Sequence, residues 1–310
     1  MPVEFIRLTA AEFESLPKEK TVFFFPVGPL EDHGPHLPLG LDPLVAQGFS
    51  EQVAIHLEKQ MEGWVGVLMP ALPLGIEANT SGLKLTVRAH VLRDWLVDAC
   101  QSLMKRGFYH FVCFSGHLGP KQLTAIEDAG KLIQRAARWK KLSSRLGKKG
   151  PVPNLLSGSS ALIRAQDVLR SPLWPDPLEH GGRIDTSLAL VFLKDQLNFE
   201  FQGLPERKRE ALLLKRLLKR VFKKIEGYWG NPSLADPEAG RAQIQKELQV
   251  IFPRLQAVLE GAPAGSWFRS WYSILPMNKS FFRIWILFFL ILIVLSGWVY
   301  LTFSLFPGAS

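Results

Sequence analysis

Thr21 to Val27 (TVFFFPV) carry no charge, hold a single hydroxyl, and are closed by Gly28. β-Branched and aromatic residues in so short a run specify a strand, and one apolar at every position must be covered on both faces. That requirement excludes a sheet with one wet face. Residues 65–69 and 108–114 repeat the pattern, and 154–158 form a fourth, weaker run. Between them, residues 43–59, 91–105, 121–140, 161–169 and 184–193 have helical spacing, the first with a proline in its opening turn. Strands alternating with helices predict an α/β fold with a mostly parallel central sheet flanked by helices. Ligands of such sheets bind beyond the carboxyl ends of the strands. Residues 28–42 and 115–120 therefore fall on one rim, and the polar, Gly-containing stretch 77–89 reads as a functional loop.

Two cysteines, Cys100 and Cys113, exclude a disulfide framework and a cysteine-based zinc module. The net charge of +9 is unevenly spread: residues 131–149 hold eight Lys/Arg without an acid, and 205–228 hold nine against three Glu. The body of the chain is thus slightly acidic. Residues 138–150 read as an exposed basic insertion. Within 206–226, Leu214, Leu217, Leu218, Val221, Phe222 and Ile225 share one helical face, and Lys/Arg fill the other. Such a helix serves as an ordinary surface helix or as a contact for anionic lipid. No nucleic-acid motif accompanies the charge, so no nucleic-acid partner is expected.

The first twenty residues lack the apolar core of a secretory signal. The far end differs. From Ile284 to Ser310 there is no charge, and 284–303 is apolar apart from Ser296, Gly297 and Thr302. Twenty such residues in a helix rise about 30 Å, the thickness of a bilayer's hydrocarbon core. Arg269, Lys279 and Arg283 precede the run and none follows, which predicts a single-pass anchor with the large N-terminal part facing the cytoplasm. The predicted organisation is an α/β domain over 1–260, a linker over 261–280 and a transmembrane helix over 281–306.

Three short clusters carry the chemistry. Glu31-Asp32-His33-Gly34-Pro35-His36, followed by Asp42, places carboxylates and imidazoles on a Gly/Pro-punctuated loop directly after a very apolar strand. These are ligand types for Zn²⁺, Mn²⁺ or Fe²⁺. Polar groups so dense are costly to bury without a partner. Ser115-Gly116-His117 ends another strand, and Glu179-His180-Gly181-Gly182 precedes a helix opened by Asp185. Taken singly, the Gly-His pair serves equally as a turn, Glu179-His180 as a hydrogen-bonded pair, and Asp185 as a helix N-terminal charge.

Together, the run PVGPLEDHGPHLPLGLD (26–42), the strand-end SGH (115–117) and the late EHGGRIDTSLAL (179–190) resemble the creatininase (creatinine amidohydrolase) family, in the same order over roughly residues 1–195. The resemblance implies a creatininase-like α/β fold and a metal-dependent amidohydrolase. Such an enzyme cleaves a non-peptide C–N bond of an amide, cyclic amide or formamide with a metal-activated water. It further implies two divalent ions (Zn, Mn or Fe), with Glu31 and His117 on one, His33 on the other and Asp42 between them. His180 and Glu179 take the proton-transfer and substrate-contact roles, and Asp185 and His36 are additional metal or substrate candidates. A small-molecule amide is the implied partner, and a homo-oligomer the implied assembly. The chain departs from creatininases proper at Gly119, where they supply Glu, and so argues against creatinine itself as substrate. Pro120 stands where other branches carry Asn, Asp185 is one methylene shorter than the usual Glu, and 77–89 keeps only Ser81-Gly82 of the family's loop signature. Two alternatives follow: a catalytically degenerate membrane-bound interaction module, and a peptide-processing hydrolase using the same site.

Overall fold

The computed structural model describes residues 2–76, 83–119, 121–130, 132–133, 156–159, 179–193, 197, 199–208, 227–262 and 288–298. Its centre is a five-stranded, all-parallel sheet. The strands in chain order are β1 (Val3–Glu4), β2 (Thr21–Val27), β4 (Val65–Leu68), β6 (His110–Ser115) and β7 (Leu156–Ser159), arranged β1-β4-β2-β6-β7. A separate antiparallel ribbon pairs β3 (Leu30–Glu31) with β5 (Lys84–Leu85). This ribbon is not expected from the sequence pattern, and β5 turns part of the predicted loop 77–89 into strand.

The helices are α1 (Ala10–Ser15), α2 (Leu41–Gln60), α3 (Ala89–Lys105), α4 (121–130), α5 (Arg183–Phe192) and α6 (Pro237–Leu259). Every residue of β2 is buried, and the two-residue period of the strand divides them cleanly. Val22 and Phe24 join one apolar cluster, with Phe49, Val53 and Leu57 of α2, Leu188 of α5 and Ile244, Leu248 and Phe252 of α6. Phe23, Phe25 and Val27 join the other, with Leu92, Leu96 and Leu103 of α3 and Ala125, Ile126 and Ala129 of α4. Helices thus cover both faces, as the apolar run required. Cys100 and Cys113 are buried in the second cluster.

α6 was not anticipated. Its pattern is nevertheless strongly helical: Asp236 caps the start by accepting from Ala239 N at 3.1 Å, Pro237 occupies the first turn, and the apolar residues from Ile244 to Leu259 repeat at three- and four-residue spacing. Pro253 inside the helix obscures that signal, since proline forgoes a helical hydrogen bond.

Several predicted segments lie outside the described residues: the helix at 161–169, the basic insertion 138–150, 209–226 of the basic helix, and 263–280 of the linker. Of the predicted span, 288–298 is described. It is helical, with Phe288, Leu290, Ile293, Val294 and Trp298 between 49% and 68% exposed. Among the described residues, no helix is long and apolar enough to cross a membrane.

Candidate metal centre

β2 and β6 are adjacent, and the loops leaving their carboxyl ends build the site. Gly116 N donates to Val27 O at 3.1 Å, tying the two strand ends together. α2 begins two residues earlier than predicted, so Asp42 lies in its first turn rather than ahead of it. Its backbone is pressed into the notch between the strands. A Cβ on Gly116 would lie 2.0 Å from Asp42 O, and one on Gly28 would lie 2.6 Å from Asp42 Cβ. Both glycines are there because of this approach.

The side chains converge from these corners. Glu31, at the end of β3, is fully buried, and His33, Asp42, His117 and His180 are each at most 6% exposed. His117 Nδ1 lies 2.9 Å from Glu31 Oε1 and 3.5 Å from Asp42 Oδ2, while His33 Nε2 lies 3.3 Å from Asp42 Oδ1. Asp42 thus touches both imidazoles, one with each oxygen. Ligand atoms of Glu31, Asp42 and His117 lie within 4.8 Å of one another, and so do those of Glu31, His33 and His180.

This donor set fits divalent ions. His33 Nδ1 faces the Glu31 carbonyl at 3.0 Å and His180 Nε2 faces that of Asp32 at 3.1 Å. A backbone carbonyl taking one ring N–H fixes the tautomer and leaves the other nitrogen as a ligand or base. Asp42 Oδ2 is buried without a hydrogen bond among the described residues. In the protein alone, protons do the work of cations. Burial disfavours charge on His33 and His117, but Asp42 and Glu31 overcome it and push both imidazoles up to about 9. Burial likewise opposes a charged Asp42, yet His33 and His117 hold its carboxyl below the usual range.

The remaining candidates separate into distinct roles. His180 is lowered by burial and by the charge of His33, on which its ring stacks at 4.1 Å. Asp185 accepts from Gly181 N at 2.7 Å, and burial raises its carboxyl. Glu179 Oε1 accepts from Ile184 N and so engages the start of α5. His36 turns elsewhere: its Nε2 meets Thr186 Oγ1 at 2.9 Å, its ring packs edge-on against Tyr228, and burial lowers it to about 4. It pins the loop to α5. Gly119 leaves no room for a side chain beside His117, since a Cβ there would sit 2.3 Å from His117 Nε2.

Gly227-Tyr-Trp-Gly230 belongs to none of the three sequence clusters. Trp229 stacks on His180 at 4.6 Å and pairs with it along the backbone. A Cβ at Gly227 would meet the Asp32 carboxylate at 2.1 Å. Two aromatics bracketed by glycines were the available signal.

Comparison with known proteins agrees with this architecture. Structures of similar fold include a creatininase described with Mn (TM-score 0.62, 19% identity, covering 85% of this chain and 100% of the other). A mutant creatininase complexed with creatine is also similar (TM-score 0.59, 20% identity, 85% and 100%). So is a putative creatinine amidohydrolase from Bacteroides fragilis (TM-score 0.55, 16% identity, 83% and 96%). No curated protein matches by sequence. The profile of the family described as creatinine amidohydrolase matches residues 7–252, so the chain belongs to the creatininase family.

Proposed function

We propose that the protein is a metal-dependent amidohydrolase acting on a non-peptide C–N bond of an amide, cyclic amide or formamide. The observation that supports this reading is the convergence of Glu31, Asp42 and His117, and of Glu31, His33 and His180, on one buried rim. When bound, divalent ions such as Zn²⁺, Mn²⁺ or Fe²⁺ supply a nucleophilic water at neutral pH and a Lewis acid for the carbonyl. Glu31 and His117 would hold one ion and His33 the second, with Asp42, in reach of both imidazoles, serving each. His180, with Nε2–H committed to the Asp32 carbonyl, presents Nδ1 as the base that takes a proton from the nucleophilic water and passes it to the leaving nitrogen. Glu179 steadies the start of α5, next to His180 in the chain. Asp185 sits close enough to influence His180 and His33 electrostatically.

The reading includes a membrane tether, with the catalytic domain on the cytoplasmic side. The charge-free run from Ile284, its basic N-terminal flank and the exposed apolar helix at 288–298 support it. The full chain is expected to sediment with membranes and to need detergent for release, whereas a chain ending at residue 262 is not. Release of the full chain by high salt alone would remove the tether from the proposal.

The central test is a turnover screen of cyclic amides, formamides and short peptides with Mn²⁺, Zn²⁺ and Fe²⁺ added in turn. His33→Ala and Asp42→Ala should lose bound metal and at least about 100-fold of the activity together. Full activity in either variant overturns the mechanism. Pro120, Asp185 and the altered loop sequence at 77–89 favour a second reading, a catalytically degenerate interaction module. Fewer than one ion per chain after metal-replete expression would decide for that one.

A further inference from the structure

His180 sits on a loop, and a histidine ring has a broad, weakly held rotation about its second side-chain torsion. Something must fix the plane of this ring if it is to deliver a proton along one direction. Trp229 supplies three constraints. Its N–H donates to His180 O at 2.8 Å and its carbonyl accepts from His180 N at 3.0 Å, so the two residues are locked in register. Its indole lies 4.6 Å from the imidazole with an interplanar angle of 24°. The same imidazole stacks on His33 at 4.1 Å and 25°, giving a run of three nearly parallel rings. The position of the indole is itself set. Gly230 is in the left-handed region (φ +114°), and a Cβ there would lie 2.8 Å from Glu179 Cγ. Gly230 also exchanges backbone hydrogen bonds of 2.7 and 2.9 Å with Arg207. Tyr228, next in the chain, is buried against His36 and holds Pro205 O at 3.0 Å.

We propose that Trp229 is a positioning residue for the reaction, its indole face holding the His180 imidazole at the angle from which Nδ1 addresses the leaving nitrogen. This rests on the assignment of His180 as proton donor. A flat partner is what the geometry uses, because rings that stack resist tilting as well as translation. Displacing a reacting group by about 1 Å can cost on the order of 100-fold in rate.

The test compares Trp229→Phe with Trp229→Leu in the full-length, metal-loaded chain. Leu keeps apolar bulk and removes the flat face; Phe keeps the face and removes the indole N–H. With the amide turned over best in the screen, Trp229→Leu should lower kcat by roughly 30- to 100-fold with KM within about threefold. Trp229→Phe should retain most of kcat. Bound metal and thermal midpoint are expected to stay at wild-type values in both. Independently of turnover, modification of His180 by diethyl pyrocarbonate, mapped by mass spectrometry, should be several-fold faster in Trp229→Leu and unchanged in Trp229→Phe. Equal kcat losses in both variants, loss of metal in Trp229→Leu, or a wild-type modification rate in that variant would each overturn the proposal. If the wild-type chain turns over no amide, the amidohydrolase reading fails, and the modification rates alone decide the role of Trp229.

Discussion

At the residue scale, the site depends on side chains that are missing. Asp42 reaches both imidazoles because Gly28 and Gly116, on adjacent strand ends, leave its backbone nowhere else to sit. A methyl group at residue 116 would overlap the Asp42 carbonyl, and no rotamer change can relieve a clash with backbone. Gly116→Ala should therefore displace α2 at its first turn and weaken metal affinity by about 10- to 100-fold while the sheet stays folded. Metal titration and far-UV circular dichroism of the same sample check both halves. Wild-type affinity would show that Asp42 does not need the notch. The ligand candidates were legible because carboxylates and imidazoles rarely crowd the end of an apolar strand. What decides their geometry was not. The carbonyls of Glu31 and Asp32 that orient His33 and His180 belong to the backbone, which every residue has, so no side-chain pattern announces them.

At the element scale, α6 closes the face of the sheet that α2 and α5 only partly cover, and it does so with a buried acid on board. Glu247 is 7% exposed and accepts from Gln243 Nε2 at 3.2 Å. Burial raises its carboxyl to about 7, against a weaker lowering by Gln243. A folded-state value above the unfolded one means the native chain holds its proton longer. Stability therefore falls as pH rises from about 4.5 to about 7 and stays reduced above that. Glu247→Gln should remove this dependence and stabilise the protein by about 2–3 kcal/mol at pH 8 but little at pH 4.5. Denaturation midpoints at the two pH values measure it; an equal gain at both would show that Glu247 ionises freely. The strands were readable from their apolar runs because burial on both faces leaves no other choice. The β3–β5 ribbon was not, since two-residue strands have no period to detect.

At the scale of the whole molecule, the donors arrive from residues 31–42, 117 and 180, and they meet only when β2, β6 and α5 are assembled. A ligand that binds the folded state alone stabilises it by about 2.7 kcal/mol at a hundredfold excess over Kd. For a chain of this size that is roughly 4–5 °C in Tm, so chelation should lower Tm by that amount and Zn²⁺ or Mn²⁺ should restore it. An unchanged Tm would mean that the donors hold no ion. His33 and His117 carry protons at neutral pH in the metal-free chain, and ligating imidazoles cannot keep them. Loading should accordingly acidify a weakly buffered solution. The all-parallel sheet was foreseeable from the alternation of strands and helices. The partnership of His180 with Trp229, 49 residues on, was not, because nothing in either local sequence refers to the other.

The same dispersal governs when a cation can enter during self-assembly. No single stretch of chain offers both His117 and Asp42, so an extended or half-collapsed polypeptide has little to grip an ion with. A metal held at this site would be a late arrival, bound after the architecture that receives it. It should act as a latch on the finished protein, slowing its opening while leaving the speed of its formation almost untouched.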